Sequence, residues 1–328
     1  MIYNNKNIYP IDQVLLALLK SKNQYMSGEK IAQSLLISRA AIHKKVEKLR
    51  LDTYNIEAES NKGFILKYPL PYKLIPEIIF QNISIPNCPT ILFMKNTTST
   101  NTIAKQIIKE HKEPFILLTR DQVMGRGRMN RPWQMSADKD IAMSFTIPCN
   151  ISHSLLFSII RLVSVVVCQL LNKYSDNKCM IKWPNDIITK DNKKICGILT
   201  ESVLEDNEIK YIIIGIGINI NSSDLPDYAN SLKELTGKEC DINQFCSELI
   251  ESLIILWEDF PNNEESIVKK WEQLFIWKNK EVLLIQNDQE YRGILQSVLQ
   301  DGSLILEINK EQKTFLSGDL SKIKLNKI

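Results

Sequence analysis

The chain has 328 residues, 44% of them hydrophobic, which suits two or three folded domains with sizeable cores. Its 7 cysteines are scattered with no CxxC pair and its histidines number 3, a composition that excludes a disulfide framework and a structural zinc site. Net charge is +3, but residues 1–68 hold 11 Lys and Arg against 6 Asp and Glu while the remainder holds 30 against 32, so the basic excess belongs to the N-terminal segment, as in a small nucleic-acid-binding module on a near-neutral body.

The first ten residues are polar and carry no secretory signal, which points to the cytoplasm. Ile11–Leu19 reads as an amphipathic helix, and Ser27 is an N-cap for a second, Gly28–Leu35. After the turn Leu36-Ile37, Ser38 caps a third helix, Arg39–Arg50, with Ile42, Val46 and Leu49 on its apolar face. Arg39, His43, Lys44, Lys45 and Lys48 fall mostly away from that face. Helix, tight turn and basic helix form the helix-turn-helix pattern, with the last helix sized for a major groove. Asn55–Ala58 and Gly63–Lys67 pair as a hairpin around Asn61-Lys62-Gly63, a wing. Ser38, Arg39, His43, Lys44, Lys45, Lys48 and Lys62 are therefore candidate DNA contacts. A helical protein–protein module is the alternative, and the clustering of basic residues favours DNA. Leu36 stands where such turns often carry glycine, and a positive φ there costs about 1 kcal/mol.

Tyr68-Pro69-Leu70-Pro71 ends this module, and Pro76, Pro86 and Pro89 make 68–90 a spacer with one short helix. Thr90–Lys95 reads as a strand. Thr97-Thr98-Ser99-Thr100 offers more capping hydroxyls than the following helix needs (Ile103, Ile107 and Ile108 inward), so its N-terminus is a candidate anion seat. The strand Pro114–Thr119 feeds a loop, 120–132, that contains GRGRMNRPW from Gly125 to Trp133. Glycines admit close backbone approach and Arg126, Arg128 and Arg131 supply planar forks, so the loop reads as an anion clamp. It is neither GxGxxG nor GxxxxGK[ST], which disfavours a Rossmann or P-loop site. After the strand Ile141–Ile147, the apolar run Leu155–Leu171 carries Arg161 and suits a buried helix rather than a membrane span.

In MIKWPNDIIT, Met180–Thr189, Lys182 sits in an apolar run where it must snorkel or find an anion, and Pro184 bends the strand. Asp191-Asn192 turns into Lys194–Ser202, where Gly197 marks close approach by a ligand or backbone. Beyond a turn at Glu205-Asp206-Asn207, Tyr211–Asn221 is a buried strand. Its Gly215 and Gly217 share one face, a flat floor for something planar or a notch for a helix. Ile242–Phe260 and Glu264–Phe275 read as helices, and short β-runs from Lys278 onward read as a small all-β barrel.

GRGRMNRPW, KWPNDI, KICGILTES and GIGININ, in this order, resemble the biotin protein ligases, and SRAAIHKKVEKLR with SNKGFIL resembles their bifunctional ligase–repressor type. The resemblance covers nearly the whole chain. It implies an α+β multidomain fold: a winged helix-turn-helix in 1–68, a catalytic domain with a mixed sheet like that of class II aminoacyl-tRNA synthetases in 69–275, and an SH3-like β-barrel in 276–328. It implies that biotin and ATP, with Mg2+, give biotinyl-5′-AMP, and that the adenylate acylates a lysine of the biotin carboxyl carrier domain of acetyl-CoA carboxylase. Ser99, Thr100 and Asn101 resemble the segment that contacts biotin; Gln122, Arg126, Gly127 and Arg128 resemble the family glutamine and closing loop; Lys182 resembles the lysine at the carboxylate and phosphate. Gly197, Gly215, Gly217 and Asn219 are counted with this ligand site. Lys182, Arg128 and Asp186 are the candidate catalytic set, Asp186 as acceptor or orienter for the incoming amine. Trp133 and Trp183 are candidate pocket braces. No metal site is assigned to the chain's own residues. The resemblance also implies an adenylate-bound homodimer on operator DNA. The family pattern has a smaller residue at Met124 and glycine at Asn130, departures that bear on loop stiffness. A lipoate-type acyl ligase and a ligand-sensing repressor without catalysis are the alternative readings.

Overall fold

The computed structural model describes residues 11–68, 73–151, 156–205, 208–260 and 262–322. Pro69–Pro71 of the spacer, Leu155, and the turn expected at Asp206-Asn207 lie outside the described residues. The N-terminal unit holds α1 (Gln13–Lys20), α2 (Gly28–Leu35), α3 (Arg39–Leu51), β1 (Ile56–Glu59) and β2 (Gly63–Leu66). The expected caps are in place: Ser27 accepts from the Lys30 amide and Ser38 from the Ala41 amide, each at 3.1 Å. The first helix starts later than its apolar pattern suggests, because Asp12 caps it by accepting from the Val14 and Leu15 amides. Leu36 adopts φ 54° and ψ 39°. The left-handed turn survives without glycine because it closes α2 as a Schellman motif, the Ile37 amide reaching the Ala32 carbonyl at 3.1 Å. β1 and β2 pair antiparallel as the wing.

Beyond α4 (Pro76–Asn82) the chain builds a seven-stranded mixed sheet. Its members are β3 (Thr90–Met94), β4 (Phe115–Thr119), β7 (Ile141–Ile151), β8 (Cys179–Lys182), β9 (Asp186–Thr189), β10 (Lys194–Glu205) and β11 (Glu208–Ile218). The order is β3-β4-β7-β11-β10-β9-β8, parallel only between β3 and β4. Alternation along β3 and β4 sends Leu92, Met94, Phe115 and Leu117 to the face covered by α5 (Thr100–Ile107), and Ile91, Phe93, Ile116 and Leu118 to the other. On that second face lie α6 (Leu156–Ser175), α8 (Ile242–Glu258) and α9 (Glu264–Leu274); the short α7 (Leu232–Thr236) contacts α6. Between β4 and β7 the arginine loop forms a two-stranded ribbon, β5 (Gly125–Arg126) with β6 (Pro132–Trp133), around a 3-10 turn at Arg128–Asn130.

α6 is long and apolar enough to span a membrane, yet 78% of its apolar window is buried inside the protein. Arg161 donates from one guanidinium nitrogen to the Val298 and Leu299 carbonyls at 3.1 and 2.6 Å, which ties the helix to the C-terminal unit, while its Nε is buried without a partner. That unit contains β12 (Glu281–Gln286), β13 (Gln289–Val298), β14 (Leu304–Ile308), β15 (Glu311–Phe315) and β16 (Asp319–Lys322). Its strand order is β15-β14-β13-β12-β16, a five-stranded antiparallel sheet. Val282, Leu284, Leu304 and Leu320 join the central core, and the Ile276 amide bonds the Ile181 carbonyl at 2.9 Å. Packing and pairing thus cross the boundary proposed at 275/276.

The winged unit is joined to the body by a charged network. Asp52, which follows α3, pairs with Lys95 at 2.8 Å, Lys73 at 3.4 Å and Arg120 at 3.5 Å. Burial raises the Asp52 carboxyl, but the Lys95 hydrogen bond and the fields of Lys73, Arg120 and Lys95 outweigh it and hold Asp52 below its ordinary value. Lys73 is itself depressed, chiefly by burial and by Arg120 against the pull of Asp52. One carboxylate shared among three cations, and not one ideal pair, makes the joint. A depressed carboxyl stabilises above its unfolded value, and that contribution is lost as pH falls through the lower folded value. Asp52→Asn should therefore cost about 1–2 kcal/mol at pH 7. In urea titrations its deficit should vanish at acid pH, where the parent's Asp52 is protonated too. Equal stability at pH 7 would contradict this account.

Candidate functional site

The site begins with what the strands leave out. Register sets Gly197 of β10 beside Gly217 of β11, and Gly217 beside Ala142 of β7; in the next row Gly215 lies between Leu199 and Ser144. Small residues side by side on one face make a shallow floor. A β-carbon at Gly217 would stand 2.6 Å from the Trp133 indole nitrogen, and one at Gly215 would stand 2.5 Å from the Asn101 side-chain oxygen. Both readings of this pair hold: Gly215 is the notch for the helix residue Asn101, and the planar group on the floor at Gly217 is Trp133 of the arginine loop itself. The indole nitrogen is buried there without a hydrogen-bond partner, and the Lys194 ammonium lies 5.4 Å from the ring centroid.

Around this floor a cavity of about 110 Å³ brings together Ser99, Thr100, Asn101, Gln122, Arg126, Gly127, Arg128, Asp186, Gly197, Gly215 and Gly217. Lys182 and Asn219 do not line it. Lys182 pairs in register with Asp186; burial pushes its ammonium below its ordinary value, against the pull of Asp186. Asn219 is buried and donates to the Asn230 carbonyl at 3.1 Å, bracing the turn after β11. Trp183, 1% exposed, also stays out: its indole donates to the Gly302 carbonyl at 2.8 Å, buttressing the C-terminal sheet.

The capping hydroxyls act otherwise than a helix cap would. Ser99 holds the N-cap position of α5 without a side-chain cap bond. The Gln122 carboxamide oxygen instead accepts from the Thr100 amide at 2.9 Å and the Thr100 hydroxyl at 3.3 Å, tying the loop to the helix start. Thr97 adds backbone bonds to Asp121 and Val123. Within the loop, Met129 and Asn130 take left-handed φ of 55° and 57°. Asn130 tolerates this and Met129 pays about 1 kcal/mol.

The clamp's charges are partly occupied. Arg131 is held bidentately by Asp319 of the C-terminal sheet, one bond at 2.9 Å. Their hydrogen bond lowers the Asp319 carboxyl and raises the Arg131 guanidinium. Arg128 is half-buried and burial depresses it, against the pull of Asp186 and Asp319. Asp186 pairs with Lys194 at 2.8 Å. Lys194 and Asp319 were missed by sequence reasoning. Lys194 heads an apolar strand as Lys182 ends one, a signal present but unread; Asp319 lies 188 residues from Arg131 and has no local signal.

On the winged unit, Ser38, Arg39, His43 and Lys44 are exposed along one side of α3. Lys45 is half-buried and pairs with Asp12 at 3.4 Å, Lys48 faces the cleft beside Asp52, and Lys62 at the wing tip pairs with Glu59 at 2.7 Å.

Residues 93–219 match the Biotin/lipoate A/B protein ligase family and residues 11–65 match the HTH domain family. The chain is 27% identical to the Bifunctional ligase/repressor BirA of Bacillus subtilis over 91% of this chain and 94% of that protein. It is 28% identical to that of Escherichia coli over 94% and 95%. Among solved structures it resembles the biotin protein ligase of Aquifex aeolicus in complex with biotin and ATP, at TM-score 0.58 and 25% identity over 70% of this chain and 97% of that one.

Because Trp133 rests on the glycine floor, the loop's closed position depends on Gly217. Gly217→Val should lift the indole and open the loop by about 1 kcal/mol, roughly fivefold. Tryptic cleavage after Arg126, Arg128 or Arg131 should quicken by that factor. Unchanged cleavage would show that the floor does not hold the loop.

Proposed function

We propose, from the premise that this chain belongs to the biotin protein ligase family in its ligase–repressor form, that it joins biotin to ATP as biotinyl-5′-AMP and passes the biotinyl group to one lysine of a biotin carboxyl carrier domain. The protein is a biotin–protein ligase with a helix-turn-helix DNA-binding domain. The observation that carries the finer reading is the cavity at Gly197 and Gly217, roofed by the Arg126–Arg128 loop.

The chemistry asks for little more. Biotin's carboxylate is ionised at pH 7 and attacks the α-phosphate without a general base; pyrophosphate leaves. The enzyme must bring two anions together, which needs positive charge and positioning. Arg126 and Arg128 on the loop and Lys194 on β10 are arranged to supply both, with Lys182 close behind. No cysteine or histidine is among the described lining residues, which fits direct transfer from a mixed anhydride with no enzyme-bound acyl group. Trp133 on its glycine floor gives the rings of biotin an apolar wall, and Ser99, Thr100, Asn101 and Gln122 give the few polar groups a selective pocket needs. Among the described residues no group of three or more His, Cys, Asp or Glu stands ready for a metal. Magnesium would then enter as counter-ion of the ATP phosphates, with at most one or two protein carboxylates such as Asp186 or Asp319.

In the transfer step the lysine amine must lose a proton to attack. We assign the orienting of that amine to Asp186, which pairs with Lys194. The loop's exposed Val123, Met124 and Met129 would dock against a partner, the carrier in one state and a second copy in the other. We read the adenylate as corepressor: ordering of the loop favours the dimer, which presents two winged units to a two-fold operator. The setting is the cytoplasm.

ATP–pyrophosphate exchange tests the substrate: it should depend on biotin and not on lipoate or octanoate, and exchange with lipoate alone would overturn the reading. Asp186→Asn should slow carrier biotinylation at least about tenfold and leave exchange within about twofold; equal loss of both steps would remove Asp186 from the transfer role.

A further inference from the structure

The polar groups of the cavity are themselves held by a relay that reaches the outer surface. Asn101, 5% exposed, is on the cavity wall. Its side-chain oxygen accepts from the Ser144 hydroxyl at 2.6 Å. Its nitrogen donates to the Glu201 carboxylate at 2.8 Å and to the Leu199 carbonyl at 3.3 Å. The second Glu201 oxygen accepts from Lys105 at 2.6 Å. Gly215 gives the amide room to lie flat, since a β-carbon there would meet its oxygen, carbon and nitrogen within 2.9 Å.

A primary amide has two N–H donors and two acceptor lone pairs. Here both donors are spent on Glu201 and Leu199, and one lone pair is spent on Ser144. What remains is a single lone pair on the Asn101 oxygen. A flip of the amide would set its nitrogen against the Ser144 hydroxyl and its oxygen against the ionised Glu201, a like-polarity contact in a buried place. The carboxylate therefore decides which end of the amide the cavity presents.

We propose that Glu201, backed by Lys105 and opposed by Ser144, is a positioning residue that locks Asn101 as a hydrogen-bond acceptor, so that the subsite selects carboxylic acids whose ring carries an N–H donor. The inference rests on the reading of the cavity as a biotin site and deepens it. A cyclic urea brings such an N–H; a dithiolane or a plain acyl chain brings none, and leaves the Asn101 lone pair buried without a partner. Selectivity of this kind is stronger than selectivity by apolar fit, because the wrong ligand strands a polar group. The Lys105–Glu201 pair is partly exposed, with side chains 43% and 30% accessible, so its own contribution to folding is small. Its role is directional.

The experiment compares two variants at opposite ends of the amide, Glu201→Ala and Ser144→Ala, in biotin-dependent ATP–pyrophosphate exchange. Each should raise KM for biotin about tenfold, leaving KM for ATP and kcat within about twofold. Glu201→Gln keeps an acceptor oxygen and should return KM for biotin to within about threefold of the parent. A merely structural role would move KM for ATP or kcat as well. If both alanine variants leave KM for biotin unchanged, or raise both KM values together, the proposal is overturned. If the parent itself shows no biotin-dependent exchange, it is the reading of the site that fails and not the relay.

Discussion

The site exists because side chains are missing from one face of one strand. Gly215 and Gly217 on β11, with Gly197 and Ala142 as neighbours across the ladder, leave a shallow floor in a sheet that elsewhere bristles with isoleucine. Everything at the site rests on that floor. The Asn101 amide lies on Gly215 and the Trp133 indole on Gly217. The arginine loop is seated by Trp133, the start of α5 by Asn101, and the two are bound together through Gln122 and Thr100. A methyl group at either glycine would disturb a helix, a loop and the cavity between them.

The same economy links the three units of the chain. The loop's first residue, Arg120, donates to the Leu74 carbonyl at 3.0 Å and pairs with Asp52, which follows α3. Its far side is tied through Arg131 to Asp319 of the C-terminal sheet. The arginine loop is thus in contact at one end with the winged unit and at the other with the β unit. An incoming phosphate would compete with Asp319 for the loop's arginines, because a carboxylate and a phosphate ask for the same bidentate fork.

Electrostatic placement separates positions that look alike in sequence. Lys182 and Lys194 both border apolar strands, and Asp186 lies between them in the chain. In the fold Asp186 pairs with Lys194, while Lys182 stands behind the cavity with its ammonium depressed by burial. On the winged unit the basic residues also divide: Arg39 and Lys44 face solvent, whereas Lys45 and Lys62 already have carboxylate partners. The surface left to meet phosphates is smaller than the count of lysines suggests.

The sequence by itself determined the elements and their order. Period-two and helical patterns, serine caps and turn residues act over a few residues, so they are legible without the fold. They gave the winged unit, the strand carrying paired glycines, the buried apolar helix and the late β-runs. The loop 125–133 and the lysine-containing hairpin around Trp183-Pro184 were legible as chemistry for the same reason. Tertiary structure alone decided who meets whom. That Trp133 covers Gly217, that Gln122 caps α5, that Asp319 holds Arg131 and that Glu201 orients Asn101 all depend on strand register and on residues far apart in the chain. It also put Lys182, Asn219 and Trp183 outside the cavity wall. Such outcomes come from packing one face against another, which local patterns do not encode.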